Sequence, residues 1–167
     1  MSAAQLPIPG PFSPNQAADI AEMQQRIYFY GWCIDHRRFD DLDALFLPET
    51  IIHYDVPMGT KKPWPEMKGW LPGGLEQFRC TQHNMSNPMI HLDGESARSN
   101  TYGHLIHFQE LHDGSISVMR HHTIYRDRWE KRSDGWRILE RTLSNLYVDG
   151  PIHGRDKIRL YAEPKPL

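Results

Sequence analysis

Three Asp-Gly pairs constrain this chain more than any other feature. Asp93-Gly94, Asp113-Gly114 and Asp134-Gly135 punctuate four strand-like runs, 80–92, 96–110, 115–132 and 136–148. Asx-Gly supplies the positive φ that a tight hairpin needs for its twist to match that of the flanking strands, so the pattern predicts a meander of antiparallel strands. The first half reads differently. Ile20, Met23, Ile27, Tyr30 and Ile34 recur at three- and four-residue steps, which predicts one buried stripe on a helix capped at Asn15 or Asp19 and running to about Arg38. FDDLDALF at 39–46 predicts a second short helix broken at Pro48, and TIIHYDV at 50–56 a strand. Residues 57–79 hold Gly73-Gly74 among Trp64, Trp70, Leu71, Leu75 and Phe78, which predicts a third helix under an aromatic lid. Helices followed by a meander leave few parallel crossovers, and the class expected is α+β.

A length of 167 residues supports one core rather than two. Residues 1–15, with four prolines, read as an irregular arm, 16–150 as the domain and 151–167 as a tail. The net charge of -2 offers no electrostatic footprint for nucleic acid. No apolar run approaches the ~18 to 20 residues of a membrane span, and the N-terminal segment has no basic stretch followed by an apolar one, so a cytoplasmic protein without a membrane partner is expected. Cys33 and Cys80 lack CxxC spacing and are expected reduced. Ten histidines invite a metal reading, but HExxH is absent. His121 and His122 alternate across a strand, as do His104 and His107, so no metal site is expected.

Three residues stand out chemically. Asp35 falls at the C-terminal end of the first helix, where the helix dipole disfavours an acid. His83 lies on a strand whose alternation places it with Met85 and Asn87. Arg141 alternates with Leu139 and Leu143, so an apolar face carries a guanidinium that requires an acid or an anionic ligand as partner. With Tyr30, Tyr54 and Tyr125 on converging elements, this set suits general acid–base chemistry without a cofactor.

The ordered pieces YxxxxD (Tyr30 to Asp35), FDDLDALFLPETIIHYDV, TQH followed by Asn87, and YRDRWEKRSDGWRILER resemble the SnoaL-like branch of the nuclear transport factor 2-like superfamily. The resemblance spans roughly residues 16–150. It implies a cone-shaped barrel of a curved, mostly antiparallel sheet around a pocket, with three N-terminal helices. Within that superfamily the chain is similar to scytalone dehydratase, bile-acid 7α-dehydratase and hexachlorocyclohexane dehydrochlorinase, all cofactor-independent lyases. The likeness implies that Asp35 orients His83 as a base, that Tyr30 and Tyr54 are the tyrosines of the dehydratases, and that Arg141 lies near the leaving group. It implies substrate contacts at Asn87, His107, His121, Thr123 and Tyr125. His121-His122 departs from the Gly-Gly pair frequent in relatives.

The activity so implied is elimination of water or a similar group from a hydrophobic aromatic or polycyclic molecule. Three further readings stay open: a carbon–carbon lyase releasing formaldehyde from a lignin-derived aromatic dimer, an isomerase or epoxide hydrolase, and a non-catalytic small-molecule binding module. Relatives of this kind form dimers or trimers; a trimer is favoured here, with Ile158, Leu160 and Tyr161 of the tail available to a neighbour.

Overall fold

The computed structural model describes residues 9–55 and 59–167. Ser13, not Asn15 or Asp19, starts the first helix. Its hydroxyl accepts the Gln16 N–H and the Gln16 side chain returns to the Ser13 N–H, a capping box with Pro14 in the first turn. Helix α1 (Pro14–Asp35) therefore takes in the end of the expected arm and stops short of Arg38; residues 1–8 of that arm lie outside the described residues. Met23, Ile27, Tyr30 and Ile34 of the predicted stripe are buried, and Ile20 is half-buried.

The second helix is a 3₁₀ turn over Asp40–Ala44. Strand β1 (Phe46–Tyr54) begins earlier than expected, and Val56 lies outside the described residues. A short strand β2 (Thr60–Pro63), unforeseen in the sequence, turns back antiparallel on β1 before helix α2 (Trp64–Leu75). Among the described residues there are thus two α-helices and a 3₁₀ turn, and α2 follows two strands rather than preceding the sheet.

The meander forms as expected: β3 (Cys80–Asp93), β4 (Ser96–Glu110), β5 (Ile116–Arg132) and β6 (Gly135–Asp149), with Gly94, Gly114 and Gly135 all at positive φ. The six-stranded sheet has the order β2-β1-β6-β5-β4-β3; it is curved and unclosed, and only β1–β6 pairs parallel among the described strands.

Bulges change which side chains face inward. In β6 the register shifts between Trp129↔Ile138 and Arg128↔Glu140, so Ile138, Arg141 and Leu143 are buried while Leu139 is not: the expected alternation of Arg141 with Leu139 does not hold. In β3 the register shifts between Ser86 and Met89. Asn87 sits in that bulge at φ 49 and is exposed, off the face it was expected to share with Met85.

Tyr30, Phe46, Tyr125, Trp129, Trp136 and Arg141 fill the core. The tail returns to its own chain. Ile158 is buried and bridges Leu111, the Lys165 N–H reaches the Arg79 carbonyl at 2.8 Å, and Leu160 stays exposed. Among the described residues no helix is long and apolar enough to cross a membrane.

Candidate active site

Gly31 lets the last turn of α1 lie directly on β3. A Cβ at this position would sit 2.8 Å from the His83 carbonyl oxygen and 3.3 Å from its Cβ, so any side chain would lift the helix. Asp35, one turn further on, reaches the strand with both oxygens. Oδ1 accepts from His83 Nδ1 at 2.7 Å and from the Thr81 hydroxyl at 2.8 Å, and Oδ2 accepts the His83 backbone N–H at 2.8 Å. Three donors hold the carboxylate in one orientation. Its side chain is 17% exposed and that of His83 6%. His83 Nε2 makes no hydrogen bond among the described residues.

Other candidates gather on the same inner face. The Tyr30 and Tyr54 hydroxyls lie 3.3 Å apart, and the Tyr30 ring stands edge-on to His83 with centroids 6.5 Å apart. Burial, reinforced by Tyr30, pushes the Tyr54 phenol well above its ordinary range, so Tyr54 is a neutral hydroxyl at pH 7 that can donate. Tyr125 packs against Tyr30; burial raises its phenol likewise, and its hydroxyl has no partner among the described residues. Thr123 is buried and donates to the Gly103 carbonyl at 3.1 Å.

His83, His107 and His121 form a row across β3, β4 and β5, with successive ring centroids 5.7 and 5.1 Å apart. Burial, together with the charges of His83, His121 and Arg37, holds His107 well below the ordinary imidazole range, and its Nδ1 is buried without a partner among the described residues. His121 Nδ1 pairs with Asn145 Oδ1 at 3.0 Å, and burial lowers it too. His122 points outward and stacks on His104. Among the described residues no cluster of three or more His, Cys, Asp or Glu side chains is arranged to hold a metal ion.

Arg141 is fully buried, and Asp127 is its acid partner. Nε and Nη2 each donate to the Asp127 carboxylate at 2.8 Å, and Cζ lies 4.2 Å from the Tyr30 ring centre. Burial disfavours the cation, but the Asp127 charge and its hydrogen bonds outweigh that, and the guanidinium is held above its ordinary range. Nη1 is its one donor nitrogen without a partner among the described residues.

Asp35 and His83 line a cleft of about 530 Å³ along the β3 edge, walled by Tyr28, Trp32, His36, Cys80, Asn84 and the tail prolines Pro164 and Pro166. Trp32 is 57% exposed and stacks on His36 with centroids 4.1 Å apart, an aromatic platform at the mouth. Asn87 is exposed in the β3 bulge and does not line this cleft. Gly31, Thr81, Arg37 and Asp127 went unread in the sequence. Gly31 carried a signal, a glycine inside an apolar helical stripe one turn before an acid.

The family model for the SnoaL-like domain matches residues 15–142. The uncharacterized protein Rv2910c of Mycobacterium tuberculosis is 31% identical over 137 residues, covering 81% of this chain and 90% of that one. A provisionally assigned scytalone dehydratase from Novosphingobium aromaticivorans superposes with TM-score 0.73 at 20% identity, covering 92% of this chain and 97% of that one. The type 3 hexachlorocyclohexane dehydrochlorinase LinA of Novosphingobium barchaimii superposes with TM-score 0.69 at 14% identity, covering 84% and 96%.

Proposed function

The chain belongs to the SnoaL-like family of the nuclear transport factor 2-like superfamily, and on that premise we propose that it is a cofactor-independent lyase that eliminates water or a similar group from a ring-bearing small molecule. The observation that carries this reading is the Asp35–His83 pair, bonded through Nδ1 at 2.7 Å and opening on a cleft with aromatic walls.

Asp35 holds the tautomer with its proton on Nδ1, which leaves the Nε2 lone pair as the base. Nε2 takes a proton from the carbon beside the leaving group. The C–H electron pair becomes the new double bond as the C–O bond breaks, and the departing hydroxide recovers the proton as water. The Tyr30–Tyr54 hydroxyl pair donates to an oxygen on which charge develops. Arg141 is fully buried and outside the walls of the cleft; with Asp127 neutralising it, the guanidinium acts by steadying the Tyr30 ring. The Trp32–His36 stack and the two prolines favour a flat ring at the mouth.

Turnover of a panel of aromatic and polycyclic alcohols, read by product analysis, tests the proposal. Asp35→Asn and His83→Ala are each expected to lower the rate by about 10² to 10⁴ while remaining folded. Formaldehyde among the products would identify the carbon–carbon lyase. Undiminished ligand binding by both variants, with no turnover by the parent, would identify a binding module.

A further inference from the structure

Helix α1 ends in a Schellman motif: the Arg37 N–H bonds the Ile34 carbonyl at 3.2 Å and the Arg38 N–H the Cys33 carbonyl at 2.8 Å. The left-handed position of that motif, which glycine occupies at least cost, holds Arg37 at φ 58. Glycine there would end the helix equally well, so the side chain has a task worth the strain.

The Arg37 guanidinium enters the space between the ends of α1 and α2 and the start of β3. It donates to the carbonyls of Ile34 (3.2 Å), Leu75 (3.0 Å) and Phe78 (3.3 Å) and reaches the Thr81 hydroxyl at 3.5 Å. Every bonded partner is neutral, and Nε is buried with none among the described residues. A half-buried cation bonded only to neutral groups requires a counter-charge nearby. The neighbouring carboxylate whose charge favours it is Asp35, linked to it through Thr81, which donates to Asp35 at 2.8 Å.

We propose that Arg37 is a positioning residue of the acid–base pair, sharing the charge of Asp35 through Thr81 so that the carboxylate draws a proton onto His83 less strongly. This deepens the lyase reading and rests on it. Asp35 by itself favours the imidazolium; a fixed cation behind the carboxylate offsets part of that attraction and repels the imidazolium. The ionisable groups around the pair are Tyr28 and Tyr30 of α1, His36 just after it, Tyr54 of β1, Cys80 of β3, His107 of β4, His121 of β5, Arg141 of β6 and Lys165 of the tail. Arg37 is the cation whose bonds lead to Asp35.

The test needs no substrate: NMR titration of the ¹⁵N-histidine-labelled full chain. In Arg37→Gly, which suits the left-handed backbone and removes the cation, the His83 titration midpoint is expected to rise by about 0.5–1 pH unit. Arg37→Gln should give the same rise, and Arg37→Lys should restore most of the parent value. Asp35→Asn should lower the midpoint, which establishes independently that the pair exists. An unmoved midpoint in folded Arg37→Gly or Arg37→Gln, alongside the drop in Asp35→Asn, would overturn the role of Arg37. No change in Asp35→Asn would instead overturn the pair itself.

Discussion

Asp127 and Arg141 illustrate how one side chain's meaning depends on another that local pattern does not reveal. The sequence marked Arg141 as a guanidinium needing a partner on an apolar face. Which partner depended on the β6 bulge, because straight counting back from the Asp134-Gly135 turn sets Arg141 opposite Arg126, whereas the shifted register sets it opposite Asp127. Both side chains of the pair are fully buried. Removing one member leaves an uncompensated charge in the core, so Asp127→Asn is expected to cost about 3–5 kcal/mol, measured by urea unfolding. A double replacement of the pair by apolar residues of similar volume should recover much of that loss. A cost for Asp127→Asn near that of a surface substitution would show that Arg141 finds another partner.

Between elements, the decisive contact is α1 on β3. The helix was legible in its apolar stripe and the strand in its turn signals, but their closeness follows from Gly31. Gly31→Ala raises intrinsic helix propensity, which alone would stabilise α1, yet the added methyl meets the His83 carbonyl oxygen at 2.8 Å. The second effect is expected to win: the helix shifts outward, Asp35 retreats from Nδ1, and activity falls by up to about 10²-fold while the fold is retained. Circular dichroism beside the turnover assay checks this, and full activity in Gly31→Ala would show that the pair tolerates a displaced helix. Strand β2 escaped notice because its four residues, TKKP, carry neither alternation nor β-branched enrichment. Its place is set by pairing with β1 rather than by its own composition.

At the scale of the whole molecule, buried imidazoles make stability depend on pH. His107 and His121 both titrate below the ordinary histidine value of 6.5 in the folded chain, chiefly through burial. Between 6.5 and their lowered folded values, the unfolded chain binds these protons and the native chain does not. Stability therefore falls as the pH is lowered through that window, by at most about 1.4 kcal/mol per pH unit for each group. Urea midpoints measured from pH 7.5 down to 5 should drop in the parent, and His107→Gln should flatten the curve. A parent midpoint that holds steady across this range would count against neutral buried imidazoles. Further loss is expected below about pH 4, where carboxylates such as Asp19, lowered chiefly by its bond from Lys131, must take up protons.

Periodicity and turn chemistry determined, without any coordinates, the long first helix, the four-stranded meander and the α+β class, because these depend on near neighbours along the chain. They also brought Asp35 and His83 to notice. Tertiary structure alone decided which oxygen meets which nitrogen, which acid neutralises Arg141, where the cleft opens and that Asn87 turns away from it. Those outcomes hang on single-residue bulges and on the space left by one missing Cβ. A bulge changes the facing of every strand residue beyond it, and the glycine sets how closely helix and strand approach; both leave almost no trace in local composition.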